Sequence, residues 1–141
     1  MEKSEWEIAW NEFLSVGVPE MDEEHRQFIA RVNALNKAIV DTEEKVTVAR
    51  ALDLMLTEAA QHFEHEEALM VEREFPGAAA HAATHAALIA QIERAAKEFA
   101  QSDISFVWAL KGLQLKQLLV EHMLKEDMKF RDFLRAPGKQ P

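Results

Sequence analysis

Residues that interrupt helices are scarce in this chain and stand close together. The 141 residues include four glycines and four prolines, and all but Gly112 fall in three short stretches, at residues 17–19, 76–77 and 137–141. The long segments between these stretches are rich in Ala, Leu, Glu and Lys, which have high helix propensity. We therefore expect an all-α protein whose helices end at the interruptions.

Apolar residues recur at helical spacing between the interruptions and predict four helices. The first is capped by Asp22 and runs to about Val40, the second is capped by Asp41 and runs to about Arg73, the third begins after Gly77 and runs to about Ala100, and the fourth runs from about Ser105 to Leu134. Asp22, Asp41 and either Ser102 or Asp103 are the expected N-caps, because their side chains can accept a backbone hydrogen bond. Long helices joined by short loops predict an up-down-up-down four-helix bundle.

The prediction divides the chain into an N-terminal arm at residues 1–20, the bundle at residues 21–135 and a C-terminal tail at residues 136–141. The arm lacks a helical period, but Trp6, Trp10 and Phe13 are apolar enough that we expect it to pack over the bundle. Gly112 lies inside the fourth helix, where glycine is unfavourable by about 1 kcal/mol relative to alanine, and is expected to mark a close contact between helices.

Composition excludes several classes of function. The chain has no cysteine, so any metal must be held by nitrogen and oxygen ligands. A net charge of −9 opposes binding to nucleic acid. The acidic N-terminus is unlike a secretory signal, and no apolar run approaches the roughly 20 residues that cross a bilayer. We therefore expect a cytoplasmic protein with no nucleic-acid or membrane partner.

Several polar side chains lie on the helix faces that are expected to point inward. They are His25, His62, Glu66, His81, His85 and His122. A buried polar group without a partner costs about 1–3 kcal/mol, so these side chains need partners. A single buried histidine is usually a hydrogen-bonded core residue. Five of them, spread over four helices, indicate a shared site.

Spacing within the second and third helices supports a metal site. His62 and Glu66 lie four residues apart, as do His81 and His85. Residues at this spacing lie on one side of a helix, so both can reach one buried ion. The absence of a His-Glu-x-x-His string opposes zinc protease chemistry.

The partner of His122 on the fourth helix is ambiguous from helix geometry. Asp127 lies five residues later, about 140° around an ideal helix, so Glu126, at four residues, has the better position. The sixth histidine, His65, is interpreted as a surface residue or an outer neighbour of the site. Glu58, one turn before His62, could support a ligand from outside, but an exposed glutamate is the simpler interpretation.

The order of these residues resembles that of the hemerythrins, specifically the bacterial single-domain members. The resemblance rests on Trp10, the stretch Gly17-Val18-Pro19-Glu20-Met21-Asp22-Glu23-Glu24-His25, and then His62-x-x-x-Glu66, His81-x-x-x-His85 and His122-x-x-x-x-Asp127. It covers nearly the whole chain and favours Asp127 over Glu126. It implies that the seven residues hold two non-haem iron ions, with both carboxylates bridging, in a four-helix bundle that binds dioxygen reversibly.

The resemblance also implies how such a site is completed. An oxo or hydroxo bridge between two six-coordinate irons would leave one position open for dioxygen, and nitric oxide or small anions are other possible ligands there. Leu119 matches the leucine over the open position, with Leu118, Phe63 and Phe130 as neighbours. A dry wall of this kind would slow autoxidation.

The leading hypothesis is a dioxygen carrier or store without required substrate turnover, and therefore not an enzyme. Imidazole-rich ligation and the absence of a Glu-x-x-His motif favour binding over oxygen–oxygen cleavage. The alternatives are an oxygen or nitric oxide sensor, an iron buffer, and a di-iron oxidase or peroxidase. A helical bundle with zinc or no metal would leave the seven-residue pattern unexplained. The oligomeric state stays open, and a monomer is compatible with the sequence.

Overall fold

The computed structural model describes residues 8–41, 44–103 and 105–136, and these form the predicted all-α bundle. The elements are a 3-10 turn at Glu12–Leu14, α1 at Pro19–Val40, α2 at Lys45–Glu72, α3 at Ala78–Ala100, α4 at Ser105–Glu121, a π turn at His122–Glu126 and α5 at Asp127–Arg135. The last three elements run on as one fourth helix. Helix α1 packs against α2 and α4, and α3 packs against the same two helices.

The first helix begins four residues earlier than the sequence predicts, with Val18 and not Asp22 at the N-cap position. Pro19 occupies the first helical position, where its fixed φ suits a helix and its missing N–H is not needed. Asp22 therefore lies within the first turn and is not the N-cap. Its carboxylate accepts hydrogen bonds from the Ser15 hydroxyl, at 2.6 Å, and the Val16 N–H, at 2.8 Å, so it fastens the preceding loop to α1.

Asp41 ends the first helix and does not open the second. Its backbone N–H donates to the Lys37 carbonyl, and its side chain pairs with the Lys37 ammonium one turn earlier. Helix α2 follows Glu44, whose side chain makes no capping hydrogen bond. The fourth helix starts at Ser105, as expected, so its N-cap position is residue 104, which lies outside the described residues. The prediction that Ser102 or Asp103 is the N-cap is therefore wrong.

The core divides into an apolar half and a polar half along the bundle. In the apolar half, the second halves of α1 and α3 meet the first halves of α2 and α4. Its buried side chains include Val32, Leu35, Ile39, Val48, Leu52, Met55, Ile92, Phe99, Trp108 and Leu115. The polar half contains the predicted histidines. No helix in the described residues combines the length and apolar character needed to cross a membrane.

Residues 8–18 of the arm pack along α1. Ile8 exchanges two hydrogen bonds with the Asn33 side chain, at 2.8 and 2.9 Å, and the Leu14 side chain is buried in the core. The ring of Trp10 lies under the Arg26 guanidinium, 4.6 Å from the ring centroid. The expectation for Phe13 is wrong, because its side chain is 79% exposed on the 3-10 turn that buries Leu14. Trp6 and residues 137–141 of the tail lie outside the described residues.

Gly112 marks a close contact between helices, as the sequence predicts. A Cβ at this position would lie 2.5 Å from the Asn36 Oδ1 and 3.0 Å from the Ile39 Cδ1. Asn36 is buried, and its amide donates to the Val32 carbonyl at 3.1 Å, so it cannot easily move aside. Helices α1 and α4 can approach this closely only because residue 112 has no side chain.

Substituting Gly112→Ala is expected to destabilise the protein, although alanine is the better helix former. We expect the free energy of unfolding to fall by about 1–3 kcal/mol, because overpacking forces the helices apart. Urea denaturation measures the change, with Leu113→Ala on the exposed face of α4 as the control. A gain in stability of about 1 kcal/mol, the propensity effect alone, would contradict this contact.

Candidate metal centre

Seven buried side chains from all four helices of the bundle meet in its polar half. They are His25, His62, Glu66, His81, His85, His122 and Asp127, and none is more than 6% exposed. Two groups of metal-ligating atoms lie among them, one with three histidines and one with two, and Glu66 belongs to both groups. The seven residues singled out in the sequence are therefore in one place.

Glu66 contacts histidines on both sides through different oxygen atoms. Its Oε1 lies 2.7 Å from the His81 Nε2 and 3.1 Å from the His85 Nε2. Its Oε2 lies 3.3 Å from the His25 Nε2 and 3.4 Å from the His62 Nε2. The carboxylate thus separates a three-histidine set (His81, His85 and His122) from a two-histidine set (His25 and His62).

Asp127 makes the same division from the fourth helix. Its Oδ1 lies 3.1 Å from the His81 Nε2 and 3.0 Å from the His122 Nε2, which belong to the three-histidine set. Its Oδ2 lies 3.3 Å from the His25 Nε2 in the two-histidine set. Each carboxylate therefore offers one oxygen to each set of histidines.

The donor atoms fit metal ions better than they fit one another. Both Asp127 oxygens are buried and make no aligned hydrogen bond within the described residues, although histidine nitrogens lie close to them. The Nε2 atoms of His85 and His122 lie 3.1 Å apart, so without a metal one of them must carry a hydrogen and donate it to the lone pair of the other. Lone pairs of this kind converge naturally on a cation, because a metal accepts all of them.

The carboxylates and histidines of the cluster shift one another's pKa values strongly. Burial opposes the charge of His25 and His81, but the carboxylates of Asp127 and Glu66 outweigh burial and raise the pKa of His25 to about 10 and that of His81 to about 9. Burial raises the pKa of Glu66, but the surrounding histidines dominate and hold it well below its usual value. Burial and Glu66 raise the pKa of Asp127, but the surrounding histidines outweigh both and hold that pKa well below its usual value.

A π turn brings Asp127 into the cluster. Residues His122–Glu126 form this wider turn, and the Asp127 N–H donates to the carbonyl of His122, five residues back. The fifth residue, not the fourth, therefore lies above His122. Glu126 points away from the cluster, and its carboxylate accepts from the Lys129 ammonium at 3.0 Å. The expectation for Glu126 from an ideal helix is wrong because the helix is irregular at this point.

Two further carboxylates, which the sequence analysis did not assign, contact the outer nitrogens of the histidines. Glu24 accepts from the His62 Nδ1 at 2.9 Å, and Glu67 accepts from the His85 Nδ1 at 2.8 Å. Each lies next to a cluster residue in sequence, which was the available signal. His65 is exposed, as expected, and bonds to Glu24, whereas Glu58 accepts from the Arg31 guanidinium at 2.9 Å.

The residues predicted to line an oxygen pocket are found in different surroundings. The ring of Phe63 stacks on His85, with centroids 3.9 Å apart. Leu119 is buried in the same apolar cluster as Phe63. Leu118 is half-buried and lines a cleft of about 250 Å³ between α3 and α4, beside His122. Phe130 is buried and packs against Phe75, with centroids 5.3 Å apart. Their role as a pocket stays a prediction.

Comparison with known proteins identifies the family. The model of the hemerythrin HHE cation binding domain matches residues 16–134. The chain is 28% identical over 130 residues to a bacteriohemerythrin of Stenotrophomonas maltophilia, covering 92% of this chain and 82% of the relative. It is 29% identical over 140 residues to a bacteriohemerythrin of Campylobacter jejuni, covering 94% of this chain and 100% of the relative. A hemerythrin-like protein of Naegleria gruberi is 29% identical over 125 residues, covering 89% and 92% of the two chains.

The family match spans all seven cluster residues, and this chain belongs to the hemerythrin family. Membership implies binding of non-haem iron, and the buried cluster of histidine and carboxylate side chains is a site that could hold it.

Replacing Asp127 tests the π turn. Asp127→Ala is expected to weaken metal binding by at least about a hundredfold, because it removes one oxygen donor from each histidine set. Glu126→Ala, the neighbouring control, should bind metal like the wild type. Competition against a coloured chelator measures both affinities. A larger loss in the Glu126 variant would show that the turn is α-helical in solution.

Metal uptake by the metal-free protein is expected to release protons at pH 7. His25 and His81 have raised pKa values of about 10 and 9, so both are protonated there and must each lose a proton to become ligands. The carboxylates are already ionised and add none. Calorimetry in two buffers of different ionisation enthalpy counts the protons.

In this titration, His25→Gln should release about one proton fewer than the wild type, which separates the histidine protons from any lost by water. Equal proton release by the two proteins would contradict the raised pKa of His25.

Proposed function

We propose that this chain holds two iron ions joined by an oxo or hydroxo bridge and binds dioxygen reversibly, as a cytoplasmic carrier or store that does not turn over a substrate. The observation that carries the proposal is the division of Glu66 and Asp127 between two unequal histidine sets. A site for one metal ion would need only one side of each carboxylate.

The two sets offer different numbers of donors. The three-histidine set has its nitrogens and one oxygen from each carboxylate, whereas the two-histidine set has one nitrogen fewer. If two six-coordinate iron ions shared a bridging oxygen, the first set would fill every remaining position on its ion and the second set would leave one position open. Iron ions bound here would supply reversible electron transfer to dioxygen at that open position.

The protein's own contribution is to exclude water and to limit the charge at the centre. All seven candidate ligands are buried, and the ring of Phe63 covers one face of His85. Exclusion of water slows side reactions that need a proton from solvent. Five of the seven donor residues are neutral imidazoles when they bind a metal, so high iron oxidation states gain little stabilisation. These features support binding over oxidation chemistry.

Aerobic cycling of the iron-loaded protein tests this function. We expect two iron ions per chain and a visible absorption band that appears when air is admitted to the reduced protein and disappears when air is removed. The Asp127→Ala variant serves as the control that should show no reversible band, because each histidine set loses a donor.

Other results would favour the alternative functions. Irreversible decay to the oxidised form, with release of peroxide or oxidation of an added donor, would indicate an oxidase, a peroxidase or a redox sensor. Binding of nitric oxide that is irreversible and tighter than that of dioxygen would indicate a nitric oxide sensor. Retention of zinc, or of no metal, would contradict the di-iron proposal itself.

A further inference from the structure

Glu24 lies between two histidines on the neighbouring helix. Its Oε1 accepts a hydrogen bond from the His62 Nδ1 at 2.9 Å, and its Oε2 accepts one from the His65 Nδ1 at 3.0 Å. The Glu24 side chain is 27% exposed, and it lines a cleft of about 160 Å³ between α1 and α2 with both histidines. One carboxylate thus connects a candidate metal ligand with a surface histidine.

Glu67 makes the corresponding contact on the next pair of helices. Its Oε2 accepts from the His85 Nδ1 at 2.8 Å. Glu24 precedes His25, and Glu67 follows Glu66, so each carboxylate lies about 100° around its helix from a cluster residue. This rotation takes the side chain past the cluster to the outer edge of a histidine on the adjacent helix.

A carboxylate at the Nδ1 of a histidine controls what the other nitrogen can do. The carboxylate holds the hydrogen on Nδ1, so the lone pair of Nε2 faces the cluster. It also makes Nε2 more basic and therefore a stronger metal ligand. The Nε2 atoms of His62 and His85 do face the cluster, at 3.4 and 3.1 Å from the Glu66 oxygens. Both rings are thus oriented as metal ligands before a metal binds.

The two carboxylates support different histidine sets. His85 belongs to the three-histidine set. In the two-histidine set, the Nδ1 of His25 is buried without a hydrogen-bond partner among the described residues, so the Glu24 bond to His62 is the outer support of that set. His65 fixes the second oxygen of Glu24 and so restricts the rotation of its carboxylate.

We propose that Glu24 is the positioning residue of the two-histidine set and Glu67 that of the three-histidine set, and that His65 anchors Glu24. Each carboxylate then sets the metal affinity of one set without being a ligand. Since the two-histidine set contains the open position, Glu24 also tunes the iron at which dioxygen binds. This inference rests on the proposed function.

The test is a stepwise titration of the metal-free protein with Co²⁺ under nitrogen, in which visible absorption is recorded after each addition. The first equivalent is expected in the three-histidine set, which has more donors. Glu24→Ala should weaken the second equivalent about ten- to a hundredfold and leave the first unchanged. Glu67→Ala should weaken the first equivalent by a similar factor.

Conservative variants separate orientation from charge. Glu24→Gln keeps an oxygen that accepts from His62, so it should restore most of the Co²⁺ affinity. It lacks the negative charge, so the reduction potential of the iron-loaded protein should be higher than that of the wild type. His65→Ala should weaken the second equivalent only a few-fold, because the bond between Glu24 and His62 remains.

Glu58→Ala is the matched control, because Glu58 lines the same cleft but pairs with Arg31 and has no hydrogen bond to a histidine within the described residues. It should titrate like the wild type. The positioning role is overturned if Glu24→Ala equals this control, or if both equivalents weaken equally in folded Glu24→Ala and Glu24→Gln proteins. A wild-type protein that takes up fewer than two Co²⁺ ions would instead contradict the proposed di-iron function.

Discussion

Two carboxylates buried among five imidazoles are the constraint on which this bundle depends. Glu66 and Asp127 are each about 1% exposed, and an ionised carboxylate in such surroundings is costly unless positive charge or a cation faces it. Protons on His25 and His81 supply that charge in the metal-free protein, as the raised pKa values of both histidines indicate. Metal ions would replace the protons. Protons or metal ions would thus balance the charge of the two carboxylates. In both cases the fold must hold all four helices close enough for the histidines to face the carboxylates.

The apolar half of the bundle supplies the stability that the polar half lacks. Its aliphatic and aromatic side chains bury apolar surface continuously from Val32 to Ile39 on α1 and around Trp108 on α4, and Gly112 allows these two helices to approach closely. The N-terminal arm stabilises the polar end of the bundle. Asp22 holds the loop before α1 through Ser15 and Val16, and Val16 packs with Met21 and Met128 beside the start of α5. The chain segment that carries His25 is thus fixed from both sides.

The sequence predicts the helices and the inward-facing histidines well, because both depend on a period that repeats along the chain. The sequence-based prediction fails where a single local contact determines a helix end or the exposure of a side chain. Asp22 and Asp41 are good capping residues by type, yet Pro19 starts the first helix and Lys37 engages Asp41 at its end. Phe13 is apolar but lies on the outer side of a short turn whose inner side is taken by Leu14. Glu24 and Glu67 follow no apolar period, and their partners lie on neighbouring helices, so their position next to His25 and Glu66 in sequence is the one signal that the sequence offers for them.

The fourth helix shows why irregular backbone and function occur together at this site. On α2, a regular turn separates His62 from Glu66, and the longer glutamate side chain reaches both histidine sets. On the fourth helix, the π turn moves the backbone so that the shorter side chain of Asp127 contacts both sets from another side. A π turn replaces the regular α-helical hydrogen bonds with longer-range ones, is rare, and is frequent at functional sites. Here it lies within the histidine cluster. Because His122 and Asp127 begin and follow this turn, ligation of both by metal ions would stabilise the π conformation and would couple metal binding to the local backbone.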